Sequence, residues 1–155
     1  MREPSSSLSR RQAPRVVYTI ALLLALLLFS LHAVVLFDVA GRLLLETHGK
    51  LEKTLGFHHS GKLIVIGCFA VLLTAHLAEA AVWALFLKRH GLVSDFGEGF
   101  YFTGVTVTTL GYGDVILPPP WRQLGPLLAI AGVLKFGCSS AFLFVVMQTV
   151  WADHL

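Results

Sequence analysis

Three long apolar stretches dominate this chain. The first, Val16–Phe37, has 22 residues and no formal charge apart from the titratable His32. A helix of about 20 apolar residues spans a hydrocarbon core of about 30 Å, and Leu63–Leu87 and Leu124–Trp151 are also long enough. Only 14% of the residues are charged, whereas soluble domains have about 25%. We therefore expect an all-α membrane protein with three transmembrane helices.

The segment before the first apolar stretch could belong to a signal peptide, because Met1–Arg15 is basic and an apolar run follows. A signal h-region has about 7 to 15 residues, however, and this run is longer and lacks a clear small-x-small cleavage site. We therefore favour a retained helix. Residues 1–15, with Pro4 and the run Ser5-Ser6-Ser7, are expected to be a flexible leader. Residues 16–61 are expected to hold the first transmembrane helix and a polar loop.

A glycine-containing motif lies between the second and third apolar stretches. It is Thr106-Val107-Thr108-Thr109-Leu110-Gly111-Tyr112-Gly113-Asp114. A Thr-x-Gly-Tyr-Gly run can place backbone carbonyls and one hydroxyl along a narrow path, and rings of such oxygens can replace the water shell of a potassium ion. The carbonyls all point inward only if some residues adopt angles that glycine permits and a side chain disfavours. One chain supplies one strip, so a closed ring requires four chains.

The segment that precedes this motif, Asp95–Thr108, is predicted to be a short helix. Ser94 or Asp95 can cap its start, and Glu98 lies in its first turn. The alternative from pattern alone is a fourth apolar helix over Phe96–Leu117. The order of the motif favours a re-entrant helix and loop, which is tolerated at membrane depth only where protein or water surrounds the backbone.

The motif resembles the signature of the potassium channel family in Thr106-x-x-Thr109-x-Gly111-Tyr112-Gly113-Asp114. Ala131-Gly132-x-x-x-Phe136-Gly137 resembles the inner-helix stretch of the simplest bacterial channels. Ala75–Glu79 and Phe136–Ala141 are similar to small bacterial three-helix channel proteins with one pore domain. The resemblance implies a pore domain over residues 62–155, composed of an outer helix, a pore helix, a filter and an inner helix.

The resemblance also implies roles for single residues. It assigns the selectivity filter to Thr109, Leu110, Gly111, Tyr112 and Gly113. Potassium, the transported ion, would bind at the carbonyls of the first four. Thr108, Asp114 and Tyr101 would support the filter, with Tyr101 donating a hydrogen bond to Asp114. Gly132 would be the bending point of the inner helix during gating. Leu110 departs from the commoner valine.

The family's filter opens to the outside of the cell. In a plasma (inner) membrane this orientation implies a cytoplasmic connection over Asp38–Gly61 and an external N-terminus. The basic residues do not follow the positive-inside bias, because seven would lie outside and four inside. The alternatives are an inverted pore or a first helix that does not cross.

Three polar residues interrupt the second and third apolar stretches, namely His76, Glu79 and Lys135. An intramembrane carboxyl group needs a partner, a proton or water, so Glu79 either hydrogen-bonds the pore helix or pairs locally with His76 or His32. A metal site made of these two histidines and Glu79 is the less favoured interpretation. Lys135 would repel potassium if it lined the cavity. We expect Lys135 to face away from the ion path, where it pairs with Glu79 or snorkels.

The sequence therefore predicts a homotetrameric potassium-selective channel that contacts membrane lipid. It shows no catalytic constellation, no arginine-repeat voltage sensor and no cytosolic ligand-binding domain. We expect no enzyme activity, organic cofactor, nucleic acid or small-molecule substrate. Cys68 and Cys138 should behave as small apolar residues. Two alternatives stay open: a non-conducting or regulatory channel-like subunit, favoured by Lys135, and a weakly selective cation channel, motivated by Leu110.

Overall fold

The structure, a computed structural model, describes residues 5–42 and 57–152, and these two ranges contain helices and loops but no strand. The helices are α1 (Ser5–Val34), α2 (Phe57–Arg89), α3 (Phe96–Val107) and α4 (Leu124–Ala152). A π-helical turn over Val35–Ala40 continues α1, and a 3-10 turn over Trp121–Gln123 leads into α4. The prediction of an all-α chain is confirmed.

Three of these helical segments are long and apolar enough to cross a membrane. They are Arg15–Asp38, Gly61–Arg89 and Trp121–Trp151. The segment between the last two contains only the 12-residue α3, which ends at Val107. The alternative of a fourth long helix over Phe96–Leu117 is therefore wrong. The helix does not continue because the glycine-containing motif leaves helical geometry directly after α3.

The first helix begins earlier than predicted. α1 starts at Ser5, so the described part of the expected flexible leader is helical. Residues 8–13 read Leu-Ser-Arg-Arg-Gln-Ala, and most of these residue types have good helix propensity. Propensity therefore extends the helix beyond the apolar stretch. The polar loop that was expected before Lys62 lies largely outside the described residues.

The chain divides into two compact units. One contains the chain as far as Phe29 together with Ala80–Val133, and the other contains Ser30–Glu79 with the chain from Leu134 onward. The buried apolar cluster of the first unit draws on α1, α2, α3 and α4. Its members are Ala21, Ala25, Leu28, Trp83, Leu87, Leu92, Phe102, Leu117, Leu124 and Leu128.

The second unit has a smaller apolar cluster, formed by Ile64, Cys68 and Val146. Cys68 is fully buried there, as expected of a small apolar residue, and neither cysteine forms a disulfide. At Gly61 an added Cβ would collide with the side chain of Val150. α2 and α4 therefore approach closely at this position because Gly61 has no side chain.

The end of α2 is set by Gly91. This glycine has a φ of 65°. Its N–H donates to the carbonyl of Lys88 at 3.0 Å, and the N–H of Leu92 donates to the carbonyl of Leu87 at 3.0 Å. This pair of bonds is the Schellman arrangement, in which glycine accepts the left-handed conformation and an apolar contact accompanies the turn. Leu87 and Leu92 are both buried. This turn ends α2 and directs the chain into α3.

Candidate functional site

The start of α3 is capped by side chains, as the sequence predicted. Asp95 is the N-cap, and its Oδ1 accepts a hydrogen bond from the N–H of Glu98 at 2.9 Å. Glu98 in turn accepts bonds from the N–H and the hydroxyl of Ser94, both at 2.6 Å. The bond from the Glu98 N–H lowers the pKa of Asp95, and the Ser94 hydroxyl lowers the pKa of Glu98. Both carboxylates are therefore charged at neutral pH.

A glycine positions α3 against α2. A Cβ added at Gly99 would lie 3.1 Å from the carbonyl oxygen of Ala84 and 3.2 Å from its Cα. Thr103 is fully buried one turn later and satisfies its hydroxyl by donating to the Gly99 carbonyl at 2.8 Å. Phe102 is buried in the apolar cluster of the same unit. Because Gly99 has no side chain, α2 and α3 can pack closely at this position.

The chain turns sharply after α3. Thr108 donates to the Gly104 carbonyl through its N–H at 3.2 Å and its hydroxyl at 2.7 Å. The N–H of Thr109 bonds the Thr106 carbonyl at 3.0 Å, and the N–H of Gly111 reaches back to the Val105 carbonyl at 3.0 Å. These bonds hold the start of the predicted filter against the end of α3.

Alternate residues of the predicted filter have positive φ. The values are 59° for Thr109, 51° for Gly111 and 78° for Gly113. Glycine takes such angles at no steric cost, whereas a β-branched threonine is an outlier there and stores about 1–3 kcal/mol of strain. Sequence reasoning required unusual angles at the glycines, and the structure adds Thr109 to them.

A hydrogen bond connects α3 to the residue that follows the filter. The hydroxyl of Tyr101 donates to Oδ2 of Asp114 at 2.6 Å, so this bond, predicted from the sequence, is present. It lowers the pKa of Asp114 and raises the pKa of Tyr101. The Asp114 carboxylate also accepts a bond from the N–H of Val115 at 3.1 Å.

The large side chains of the predicted filter are uncovered. Leu110 is 55% exposed and Tyr112 is 67% exposed. No residue of the described chain packs over most of their surface, so this arrangement can bury them only against another molecule or lipid.

The candidate hinge, Gly132, makes a close contact of its own. A Cβ added to it would lie 2.5 Å from the carbonyl oxygen of Val107 and 2.7 Å from the Val107 Cβ. α4 runs through this position as a continuous helix. The missing side chain therefore lets α4 pack directly on the last residue of α3, two residues before Thr109.

The polar residues of the second unit form a buried network across α1, α2 and α4. Oε1 of Glu79 lies 2.8 Å from Nδ1 of His32, and Lys135 Nζ donates to Oε2. Nε2 of His32 lies 2.8 Å from the Ser139 hydroxyl, and Nε2 of His76 lies 3.1 Å from the same oxygen. Of the alternatives for Glu79, the local pair with His32 is present, and the predicted pair with Lys135 is confirmed.

One assignment of protons satisfies this whole network. If His76 donates to Ser139, Ser139 donates to His32, and His32 donates to Glu79, then each histidine needs only one N–H, and these two N–H groups and the Ser139 hydroxyl each have an acceptor. The charges are then the Glu79 carboxylate and the Lys135 ammonium, which cancel. His32, His76 and Glu79 do bring possible metal ligand atoms within 4.8 Å of one another. A metal ion bound by these nitrogen and oxygen atoms would have to break this chain of bonds.

Sequence reasoning missed Ser139. It lies four residues after Lys135 and therefore on the same face of α4, which is the signal that could have identified it. It is buried, with 6% of its surface exposed. Its hydroxyl connects the two histidine rings, which are themselves 4.6 Å apart between centroids.

Comparisons with known proteins agree with this architecture. A family model described as an ion channel matches residues 63–149, which is more than half of the chain. Over 69 residues the chain is 35% identical to a protein named hyperpolarization-activated voltage-gated potassium channel from Methanocaldococcus jannaschii. The match covers 44% of this chain but only 32% of that protein, so the chain spans about a third of its relative's length. No solved structure gives a significant match.

The matched residues run from α2 to α4 and exclude α1. Between these two helices lie α3 and the predicted filter, which together are called the pore loop. The matched residues include the short helix, the positive-φ turn and both flanking spans. The match to this family indicates a channel rather than an enzyme. The chain belongs to the potassium channel family, as a multi-pass membrane protein with a pore domain of that family.

Proposed function

We propose that four copies of this chain form a potassium-selective channel around a central axis. The observation that carries the proposal is the alternation of positive φ at Thr109, Gly111 and Gly113. A strip in which alternate residues take left-handed angles can direct successive carbonyls to one side. The carbonyls of Thr109, Leu110, Gly111 and Tyr112 would then form four rings of oxygens that replace the water shell of K+. Gly113 completes the filter, and the Thr109 hydroxyl lines the innermost site.

The exposed side chains of the filter support the assembly. Leu110 and Tyr112 together leave a large apolar surface beside α3, and burial of such surface stabilises association. In a ring of four chains, these side chains would point away from the ions and brace the filter against neighbouring copies. One chain contains one pore loop, so four chains are needed, and we propose that they are identical copies.

Fixed negative charges support a cation path. Asp95 and Glu98 are at the start of α3 and Asp114 follows the filter, and hydrogen bonds lower the pKa of all three. Four copies would place twelve carboxylates around the pore loops, and such clusters raise the local concentration of cations.

The buried ion pair removes the main objection to conduction. Lys135 favoured a non-conducting subunit because a cation in the cavity would repel K+. Lys135 is 4% exposed and its ammonium group donates to Glu79, so the pair has no net charge. We place the channel in the plasma membrane, with the N-terminus outside and the filter opening outward. Gly132 is the proposed bending point of α4, and a bend there would change its contact with Val107.

Rubidium flux into liposomes tests the proposal. Purified protein is reconstituted with internal K+. Uptake of external Rb+ is followed alone and in the presence of excess external Na+ or excess external K+. We expect uptake that excess K+ suppresses and excess Na+ does not. Protein-free liposomes and a Gly111→Ala variant are the controls. Equal competition by Na+ and K+ would instead indicate the weakly selective channel, and no uptake in oriented, folded protein would indicate a non-conducting subunit.

A further inference from the structure

The N-terminal helix α1 lies outside the residues matched by the family, and its role is not explained by the pore loop. We infer that Tyr18 on α1 is a positioning residue for the segment that follows the filter, so that α1 braces the filter from outside. This inference rests on the proposed function, because a brace has a functional meaning only if the filter conducts.

The first observation is a direct anchor between Tyr18 and the post-filter segment. The hydroxyl of Tyr18 donates to the carbonyl of Pro120, a residue 102 positions away in the chain. The Tyr18 ring also packs on Trp121, with centroids 5.8 Å apart and planes at 39°. The phenol therefore contacts two consecutive residues at the point where the segment enters α4.

The second observation is the composition of that segment. Pro118, Pro119 and Pro120 have no N–H groups, so they cannot donate bonds that would tie the segment to its surroundings. The N–H of Trp121 closes a local turn onto the Pro118 carbonyl at 2.7 Å. The proline run can therefore form backbone hydrogen bonds only through its carbonyl groups, and Tyr18 donates to one of them, the carbonyl of Pro120.

The third observation is a stripe of small and apolar residues that continues from Tyr18 along α1. Ala21, Ala25 and Leu28 follow at the spacing of one helix face, and they are 0%, 7% and 5% exposed. They belong to the same buried cluster as Phe102 of α3 and Leu117 of the post-filter segment. The alanines allow a close approach of α1, which brings the Tyr18 hydroxyl to the proline carbonyl.

These contacts restrain both ends of a short segment. At its start, Asp114 accepts the bond from Tyr101 on α3. At its end, Pro120 accepts the bond from Tyr18. Movement of Gly113 away from its positive φ must displace Asp114 and then the segment behind it. The anchor at Tyr18 therefore opposes distortion of the filter.

The test compares wild type with Tyr18→Phe, which keeps the ring and removes the hydroxyl. The matched control is Thr19→Val on the neighbouring residue, whose exposed hydroxyl bonds only the Arg15 carbonyl of its own helix, at 3.0 Å. Hydrogen exchange of the peptide containing Trp121 is measured by mass spectrometry in lipid nanodiscs. We expect roughly threefold to tenfold faster exchange of that peptide in Tyr18→Phe, as for the loss of one hydrogen bond, and no change in Thr19→Val.

A second arm measures conduction. Rb+ uptake is followed after incubation in low and in high K+, since a filter that distorts readily should lose activity in low K+ and be protected when its sites are filled. We expect Tyr18→Phe to lose uptake several times faster than wild type in low K+ and at the wild-type rate in high K+. A merely structural role would change both rates equally.

The outcomes separate the two proposals. If wild type conducts and Tyr18→Phe matches it in both arms, the positioning role is wrong. If Tyr18→Phe loses uptake equally in low and high K+, α1 stabilises the fold but does not position the filter, and the inference is also overturned. If wild type does not take up Rb+, the proposed function fails, and unchanged exchange at Trp121 would then refute the anchor independently.

Discussion

Single residues of the proposed filter are constrained by backbone conformation. The positive φ at Gly111 and Gly113 requires glycine for a physical reason, because a Cβ in the left-handed region costs about 1–2 kcal/mol. Open space surrounds both positions in the single chain, with nothing within 4 Å of an added Cβ. The constraint there is therefore backbone conformation rather than crowding.

We expect Gly111→Ala and Gly113→Ala to abolish K+ over Na+ selectivity, because the strip of carbonyls loses its alternation. Gly91→Ala is the matched control, since Gly91 has a φ of 65° and open space around it but lies outside the pore loop. That variant should lose about 1–2 kcal/mol of stability and keep its selectivity. Single-channel recording with mixed ions provides the measurement. Wild-type selectivity in both filter variants would refute the filter assignment.

The bond between Tyr101 and Asp114 makes a second prediction, about pH. The bond lowers the pKa of Asp114. The stability that the bond contributes through the ionised Asp114 is therefore present above about pH 4, the ordinary pKa of aspartate, and is lost as the pH falls through the lowered pKa of the folded state. The same bond raises the pKa of Tyr101. The stability that the bond contributes through the protonated Tyr101 is therefore present below about pH 10, the ordinary pKa of tyrosine, and is lost as the pH rises through the raised pKa of the folded state. Between these limits the bond keeps its strength.

We therefore expect wild-type selectivity to be constant between about pH 5 and pH 9. Tyr101→Phe should lower selectivity by the same factor at both values, because it removes the donor at every pH. Reversal potentials in asymmetric KCl and NaCl measure both effects. A selectivity change in wild type near neutral pH would show that another group controls the filter.

Among the helices, the buried network determines how α1, α2 and α4 join in their unit. Removing one partner of a buried ion pair leaves an uncompensated charge and costs about 3–5 kcal/mol, whereas replacing both partners with apolar residues is often neutral or stabilising. Glu79 and Lys135 are both buried, so this asymmetry should apply to them.

We expect Lys135→Leu and Glu79→Leu each to reduce the yield and thermal stability of the assembled protein, and the double variant to recover both. Channels that do assemble with Lys135→Leu should have a conductance within about twofold of wild type, because a paired lysine contributes little field to the ion path. Lys135→Glu should not introduce strong block by internal Mg²⁺. A large rise in conductance or a strong block would place Lys135 in the cavity.

The proposed channel is an assembly, because one pore loop can provide only one side of a filter. We expect a fourfold-symmetric tetramer in mild detergent, which native mass spectrometry or single-particle imaging would identify. Most of the surface of Leu110 and Tyr112 should become buried between copies. A stable dimer as the sole species would contradict the arrangement, since two loops cannot enclose a four-sided path.

Local sequence signals predicted the spans and the pore loop. Hydropathy and helix capping at Asp95 act over a few residues, so spacing alone was enough to place these elements. The partners of Glu79 could be named from the sequence only as alternatives, because His32 and Lys135 lie 47 and 56 positions away and their pairing depends on how the helices meet. Ser139, the contact of Gly132 with Val107 and the anchor at Tyr18 were beyond such reasoning. Packing between helices decided each of these contacts, since it determines which buried polar groups meet and where a glycine lets two segments come close.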